Sequence, residues 1–257
     1  MRILTLVLYS WYQGLFAKTF SGWSFSDAFQ SKRWKVFLPL VFPAMLGGVA
    51  EVIQMSLSSL MAARLGPTMS AASDLTNSIE LLVGACVNGV AGGIGSLMAR
   101  NLGQGLPKRS WEVTKVGMIL VYGAMTTFAI LMYIFNPTFA RFASTDPLVQ
   151  HQIIHIRFVS AFGMFMCGGL YLCADLICRQ GRPEIVFTYL PIFNWPIGLP
   201  TSFFLTPILG IRGIWIGLTV GYTLAHAVLL YYLLTSDWQK LSEDARERSG
   251  VDEAFVK

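Results

Sequence analysis

The chain has 257 residues, of which 54% are hydrophobic and only 13% are charged, and its formal net charge is +5. An average soluble domain carries about a quarter charged residues, so this composition argues against a soluble globular protein. The apolar residues also come in blocks, each of about 20 residues or more, the length that a helix needs to cross a bilayer.

Six such blocks follow one another, and a shorter apolar stretch, LTLVLYSWYQGLF at 4–16, comes before them. We interpret the short stretch as the end of a helix that begins upstream, in preference to a secretory signal, because no small-residue cleavage site follows it. Long apolar runs without strand-like alternation predict helices. The predicted fold class is therefore all-α, a polytopic membrane protein with a six-helix transmembrane bundle and a partial N-terminal helix. The predicted spans are 36–62, 70–98, 113–135, 150–178, 185–208 and 211–236.

Basic residues are distributed unevenly about these spans. Fourteen of the 19 Lys and Arg residues lie before span one, between spans two and three or four and five, or after span six. Arg64, Arg141, Arg157 and Arg212 fall on the other side, and the side of Arg2 is open. Cytoplasmic loops are enriched in Lys and Arg, so we expect both ends of the bundle in the cytoplasm. The basic excess sets topology and does not indicate a nucleic-acid partner.

The predicted spans and the distribution of basic residues divide the chain into three regions. Residues 1–33 are predicted to hold the end of a preceding membrane helix and a cytoplasmic linker, and 34–236 the six-span lobe in the lipid bilayer. Residues 237–257 are the one extended charged region. We expect them to form a cytoplasmic tail with a short solvated helix.

Span one contains a carboxylate in the apolar run PAMLGGVAEVIQMSLSSLMAARLG at 43–66. A helical projection places Gly47, Glu51, Gln54 and Ser58 on one small and polar face, with apolar side chains opposite. An ionisable residue inside a span is costly and is a functional candidate by default. Glu51 is therefore predicted to face a cavity and to exchange a proton or hold a cation. The alternative is a carboxylate satisfied by a neighbouring helix.

Polar groups in spans two and four are weaker candidates. Asp74, Asn77 and Glu80 are predicted in the first turns of span two, where acids suit the helix N-terminus. Asp175 and Arg179 have the spacing of a helical ion pair.

Histidines and prolines mark spans four to six. His151 and His155 are four residues apart without a third ligand, so no metal site is predicted.

In span five, Pro191, Pro196 and Pro200 stand around Asn194. A proline removes a backbone donor, so we expect this helix to be bent or broken, and to line a cavity or move. His226 in span six is interpreted as a hydrogen-bonded packing residue, with proton relay as the alternative.

Enzyme signatures are absent from the sequence: it has no P-loop, nucleophile elbow or HExxH motif. We predict neither an enzyme nor a bound cofactor. Without a P-loop the chain has no visible means of using ATP, so transport would be driven by an ion gradient of H⁺ or Na⁺.

Several stretches together resemble a known family. They are GWS at 22–24, FLPLVFPAML at 37–46, ARNLGQGLPKR at 99–109, ICRQGRPEIVFTYLPIFNWPIGLP at 177–200 and LGIRGIWIGL at 209–218. Their order and spacing resemble the C-terminal half of a MATE-type (multidrug and toxic compound extrusion) transporter, particularly of the eukaryotic branch. The resemblance implies a twelve-span antiporter of two six-helix lobes that exports organic cations or other xenobiotics in exchange for protons or sodium ions. The N-terminal lobe would belong to the same protein or to a second chain.

The resemblance also assigns candidate site residues. Glu51 matches the acid of the family's seventh helix, but a second acid found five residues later in related proteins is Ser56 here, and an acid of the tenth helix is Gly168. Asp175 is the candidate substitute. The leading prediction is that Glu51 couples ions and that the cavity is lined by Gln54, Ser58, Asp175 and Asn194.

Two alternatives stand beside it. One is a lipid-linked saccharide flippase of the same superfold, which an arginine-rich cavity would favour. The other is a truncated membrane protein that does not transport and acts by helix–helix association.

Overall fold

A computed structural model describes residues 31–253 and Gly14, and every element within 31–253 is helical. The rest of the predicted partial helix at 4–16, residues 17–30 of the linker and the last four residues of the tail lie outside the described residues. The chain divides into two compact units, Met1–Phe42 and Pro43–Lys257. The second unit holds α1 from Pro43 onward, all later helices and every candidate site residue.

The helices follow one another with short connections. Their bounds are α1 Ser31–Arg64, α2 Pro67–Gly103, α3 Pro107–Ala143, α4 Pro147–His155, α5 Arg157–Arg179, α6 Pro183–Phe193, a π-helical segment Asn194–Gly198, α7 Leu199–Leu209, α8 Ile211–Leu234 and α9 Trp238–Glu253. Proline stands at the first or second position of α2, α3, α4, α6 and α7, where a missing N–H costs nothing.

Within the described residues, five helices are long and apolar enough to cross a membrane. These are α1 from Met45, α2, α3, α5 and α8. The predicted fourth span differs, because it is divided at Ile156 into the short helix α4 and the spanning helix α5. The predicted fifth span is two 11-residue helices joined by the π-helical segment. Its prolines cannot donate backbone hydrogen bonds, and the prediction of an interrupted helix is confirmed.

The core lies where α5 and α8 pack against each other and against α2, α3 and α7. Leu172, Leu176, Leu229 and Leu233 are fully buried there. Helices in lipid gain little from burying apolar surface against one another, so close packing of small residues holds them together.

Glycines on α8 allow the closest of these approaches. Gly213, Gly217 and Gly221 recur every fourth residue and so share one face of the helix. A Cβ on Gly217 would overlap the Oγ and the backbone nitrogen of Ser202 in α7. The interrupted helix can therefore lie directly against the α8 backbone.

The tail is less solvated than predicted at its start. Leu241 and Ser242 of α9 are buried, and the Ser242 hydroxyl donates a hydrogen bond to the Leu102 carbonyl at 2.9 Å. Trp238 packs on Trp111 of α3 with 5.3 Å between ring centroids. These apolar and bonding groups attach the first turns of α9 to the ends of α2 and α3.

Candidate functional site

The polar face of α1 is turned into the protein. Gln54 and Ser58 are 2% and 7% exposed, whereas Val49 and Val52 are 55% and 64% exposed. Glu51 lies between these extremes, half-buried on the same side as Gln54. The helix thus presents its apolar side outward, as expected from the helical spacing that separates its small and polar residues from its branched apolar ones.

Glu51 has a partner on a neighbouring helix. The hydroxyl of Tyr171 in α5 donates a hydrogen bond to Glu51 Oε1. One turn away, α1 packs by its small residues, since a Cβ on Gly47 would lie 2.7 Å from the ring of Phe187. A hydrogen bond to an ionised carboxylate is about twice as strong as one between neutral groups. The contact therefore depends on the charge of Glu51 and links that charge to the packing of α1 against α5.

Glu80 is a second carboxylate in this region, and the sequence prediction for it is wrong. The sequence pattern predicts Glu80 in the first turns of a helix beginning near residue 70, whereas α2 begins at Pro67. Thirteen residues at 1.5 Å each put Glu80 roughly 20 Å along the helix, too far for an interaction with the helix N-terminus. Asp74, nearer the start, is exposed and accepts a hydrogen bond from Ser70 at 3.4 Å.

Glu80 lines a narrow cleft between α1, α2 and α8. Its cavity volume of about 20 Å³ suits one water molecule. The lining residues are Met55, Ser58, Ser59, Ser73, Asn77, Glu80, Trp215, Leu218 and Tyr222. Ser58 is the member of the predicted set that the structure places there. Glu51 is not one of the lining residues and lies one turn before Met55 on α1.

Several enclosed polar atoms around the cleft have no hydrogen-bond partner among the described residues. These are Glu80 Oε1, Trp215 Nε1 and, one turn from Ser58 on α1, Gln54 Nε2. Buried polar groups are nearly always satisfied, by protein or by ordered water. A carboxylate, hydroxyls and unsatisfied groups in a space of this size can hold a proton, a water molecule or a small cation.

Asp175 is engaged elsewhere. Arg179 Nε donates to Asp175 Oδ2 at 2.7 Å, and Arg179 Nη1 donates to Ser96 Oγ in α2 at 3.1 Å. The structure thus pairs Asp175 within its own helix, one turn beyond Tyr171, and it does not line the cleft. The sequence spacing predicts this ion pair correctly.

Asn194 is buried in the π-helical segment and faces α8 rather than the cleft. Its Oδ1 lies 2.7 Å from the position that a Cβ on Gly221 would take. The same atom has no hydrogen-bond partner among the described residues. Its role as a cavity-lining group stays a prediction.

The two positions where the resemblance leads one to expect acids are unsuited to them here. Ser56 is exposed on α1 and donates to the Val52 carbonyl of its own helix at 2.8 Å. Gly168 is buried, and a Cβ there would overlap the sulfur of Met125. A side chain at position 168 would require Met125 to move, and one at position 56 would lie on the exposed side of α1.

The histidines form two further contacts. His226 Nε2 is 2.7 Å from the hydroxyl of Tyr122, which is a hydrogen-bonding distance. This contact agrees with the interpretation of His226 as a hydrogen-bonded packing residue. His151 and His155 stack with 6.1 Å between centroids, and no described group of three His, Cys, Asp or Glu residues could hold a metal ion. His155 lies outside the spans, where partial burial, and then Arg212 and His151, lower its pKa.

Comparison with known proteins covers most of the chain. The model of the MatE family matches residues 43–204. The multidrug and toxin extrusion protein 1 of Xenopus tropicalis is 24% identical over 260 residues, covering 97% of this chain and 43% of the relative. The multidrug resistance protein PmpM of Pseudomonas aeruginosa is 27% identical over 252 residues, covering 93% of this chain and 51% of the relative. The chain spans about half the length of these relatives.

Solved structures agree at the level of fold. The eukaryotic MATE transporter AtDTX14 superposes with a TM-score of 0.75 at 17% identity, over 90% of this chain and 54% of the other. The Vibrio cholerae MATE transporter VcmN in its bent form gives 0.73 at 18% identity, over 85% and 49%. These likenesses confirm the predicted all-α membrane fold, and the match to the MatE family model confirms the family resemblance of the sequence. The relatives are transport proteins, which agrees with the prediction that the chain is not an enzyme.

Proposed function

The chain belongs to the MatE family, and from that premise we propose that it forms one lobe of a secondary active transporter that exports organic cations or other xenobiotics by antiport with protons or sodium ions. The observation that carries the proposal is the hydrogen bond from Tyr171 to the Glu51 carboxylate, which lies inside a membrane-length helix. Acids are rare inside membrane spans, and they mark ion and proton pathways in transporters. Glu51 on α1 and Glu80 in the cleft both lie inside membrane-length helices, and such acids fit ion coupling.

The coupling step follows from charge. With a proton or Na⁺ bound, the Glu51 carboxylate is neutralised and its attraction for the Tyr171 hydroxyl weakens. When the ion leaves, the carboxylate regains its charge and draws α1 and α5 together. A bound ion thereby changes the contact between two spanning helices, and an organic cation that competes for the same negative charge is exchanged against the ion.

A second lobe completes the transporter in this proposal. Sites of repeat-built transporters lie between the repeats, and this chain spans about half the length of its relatives. The N-terminal lobe is expected in the same protein or as a second chain. The protein is an integral multi-pass membrane protein, and the Lys and Arg distribution supports a cytoplasmic tail.

The test is export from liposomes that hold the chain together with its N-terminal lobe. An organic cation of low passive membrane permeability, such as tetraethylammonium, is loaded, and a pH gradient or a Na⁺ gradient is imposed in separate arms. We expect efflux in one arm, which identifies the coupling ion, and none without a gradient.

Two results would contradict the proposal. Efflux that ignores both gradients would exclude antiport. Absence of efflux in both arms, together with movement of a fluorescent lipid-linked saccharide across the bilayer, would favour the flippase alternative.

A further inference from the structure

The outer surface of the lobe carries a groove between α3 and α5 that is separate from the cleft. Its volume is about 700 Å³, within the range of small-molecule sites. Ile130, Tyr133 and Ile134 line one wall, and Phe158, Phe162 and Phe165 line the other. Ile130, Ile134 and Phe158 are each more than half exposed. An apolar and aromatic groove between two membrane-length helices is suited to contact with lipid.

One cation lies at the mouth of this groove. The guanidinium carbon of Arg157 is 4.8 Å from the centre of the Tyr133 ring, which belongs to the groove wall. No carboxylate in the described part of the chain lies within ion-pair distance of Arg157. By contrast, Arg212 donates its Nε to the His155 carbonyl. The ring holds the Arg157 side chain in place while its N–H groups stay free for an anion.

The chemistry of the groove selects its occupant. An organic cation is repelled by the charge of Arg157, and a free inorganic anion gains no favourable contact with the apolar walls. A phospholipid supplies both parts, since its phosphate can accept a bidentate pair of hydrogen bonds from a guanidinium. Because acyl chains are as well solvated in the bilayer as in the groove, the phosphate contact and the groove's shape must provide the preference.

We propose that this groove binds one glycerophospholipid of the surrounding bilayer, with its phosphate on Arg157 and an acyl chain between α3 and α5. The site does not depend on the proposed antiport function, because none of its residues belongs to the cleft around Glu80.

Native mass spectrometry of the purified chain tests the proposal. The chain is extracted in mild detergent and mixed with phosphatidylglycerol, or with diacylglycerol of the same acyl chains. We expect one phosphatidylglycerol and no diacylglycerol per chain. Arg157→Gln should weaken phosphatidylglycerol retention by about tenfold or more, the cost of losing a charge-assisted hydrogen bond. Inorganic phosphate should not displace the lipid, because it lacks the acyl chain.

Matched variants separate the groove from general effects. Arg141→Gln removes an exposed arginine in the last turn of α3, which does not line the groove, and should retain lipid like the unchanged chain. Ala129→Phe fills the groove and should reduce retention, whereas Ala124→Phe, at an exposed position outside it, should not.

Three outcomes would overturn the proposal. These are equal retention of both lipids, equal effects of Arg157→Gln and Arg141→Gln, or a change in the number of chains per complex in place of a change in bound lipid. The last outcome would make the groove a protein interface. If Ala129→Phe fails to fold, the comparison of Arg157→Gln with Arg141→Gln still tests whether the groove binds the lipid phosphate.

Discussion

Substitution of Glu51 by glutamine is expected to lower gradient-driven export by about 100-fold, the scale of a coupling free energy between two ligands. Glutamine keeps the size of the side chain and can still accept the Tyr171 hydrogen bond, but it carries no charge to be neutralised by a proton or Na⁺. The measurement is efflux of the organic cation from liposomes that hold both lobes, with and without the driving gradient.

Two variants bracket this result. Ser56→Ala changes a neighbouring hydroxyl that bonds only to its own helix, so export should stay within about twofold, as for ordinary surface substitutions. Tyr171→Phe keeps the carboxylate and removes its donor, and the apparent affinity for the coupling ion should change by roughly tenfold. A Glu51→Gln protein whose export still follows the gradient would remove Glu51 from the coupling site.

Substitution of Gly217 by valine is expected to destabilise the lobe by about 3 kcal/mol or more, the upper range for overpacking a core. The added carbons would overlap Ser202 at both its hydroxyl and its backbone nitrogen. Since a backbone atom cannot rotate away, α7 must separate from α8. The measurement is the free energy of unfolding of the chain in mixed detergent micelles.

Gly123→Val is the matched control, because Gly123 lies on α3 with no atom within 4 Å of an added Cβ. Its free energy of unfolding should change by less than about 1 kcal/mol, since valine and glycine differ little in helix propensity. Equal losses for the two variants would show that the α7–α8 contact is not what Gly217 maintains.

The helices and the polar face of α1 could be predicted from the sequence because both depend on local pattern. Long apolar runs fix the spans, and a 3.6-residue period fixes which side of α1 holds Gln54 and Ser58. The prolines around Asn194 likewise predict an interrupted helix by removing backbone donors. The sequence does not show that the interruption is π-helical, because the choice of hydrogen-bond register depends on packing against the α8 glycines.

The site itself could be predicted only in part. Glu80 lies ten residues after the predicted start of span two and thirteen after Pro67, so with either start it is too far along the helix to interact with the N-terminus, and grouping it with Asp74 is the error. Tyr171 carried no signal, since an aromatic residue in a span is ordinarily a packing residue. Its hydrogen bond to Glu51 joins residues 120 apart in sequence, which no local pattern reports.

Asp175 shows the opposite case. The four-residue spacing to Arg179 predicts the ion pair that the structure contains. Asp175 does not line the cleft, so its position does not support a role as the substitute acid. In the proposal above, Glu51 with its Tyr171 partner takes the coupling role without acids at positions 56 and 168.

The most direct test of the central claim, that Glu51 is the carboxylate at which ions exchange, is proton release from the purified chain. Na⁺ or tetraphenylphosphonium is added to the chain in weakly buffered detergent solution with a pH-indicator dye. We predict that the unchanged chain releases protons as the added cation displaces them, and that Glu51→Gln releases none. Equal release from both proteins, or none from the unchanged chain, would contradict this account.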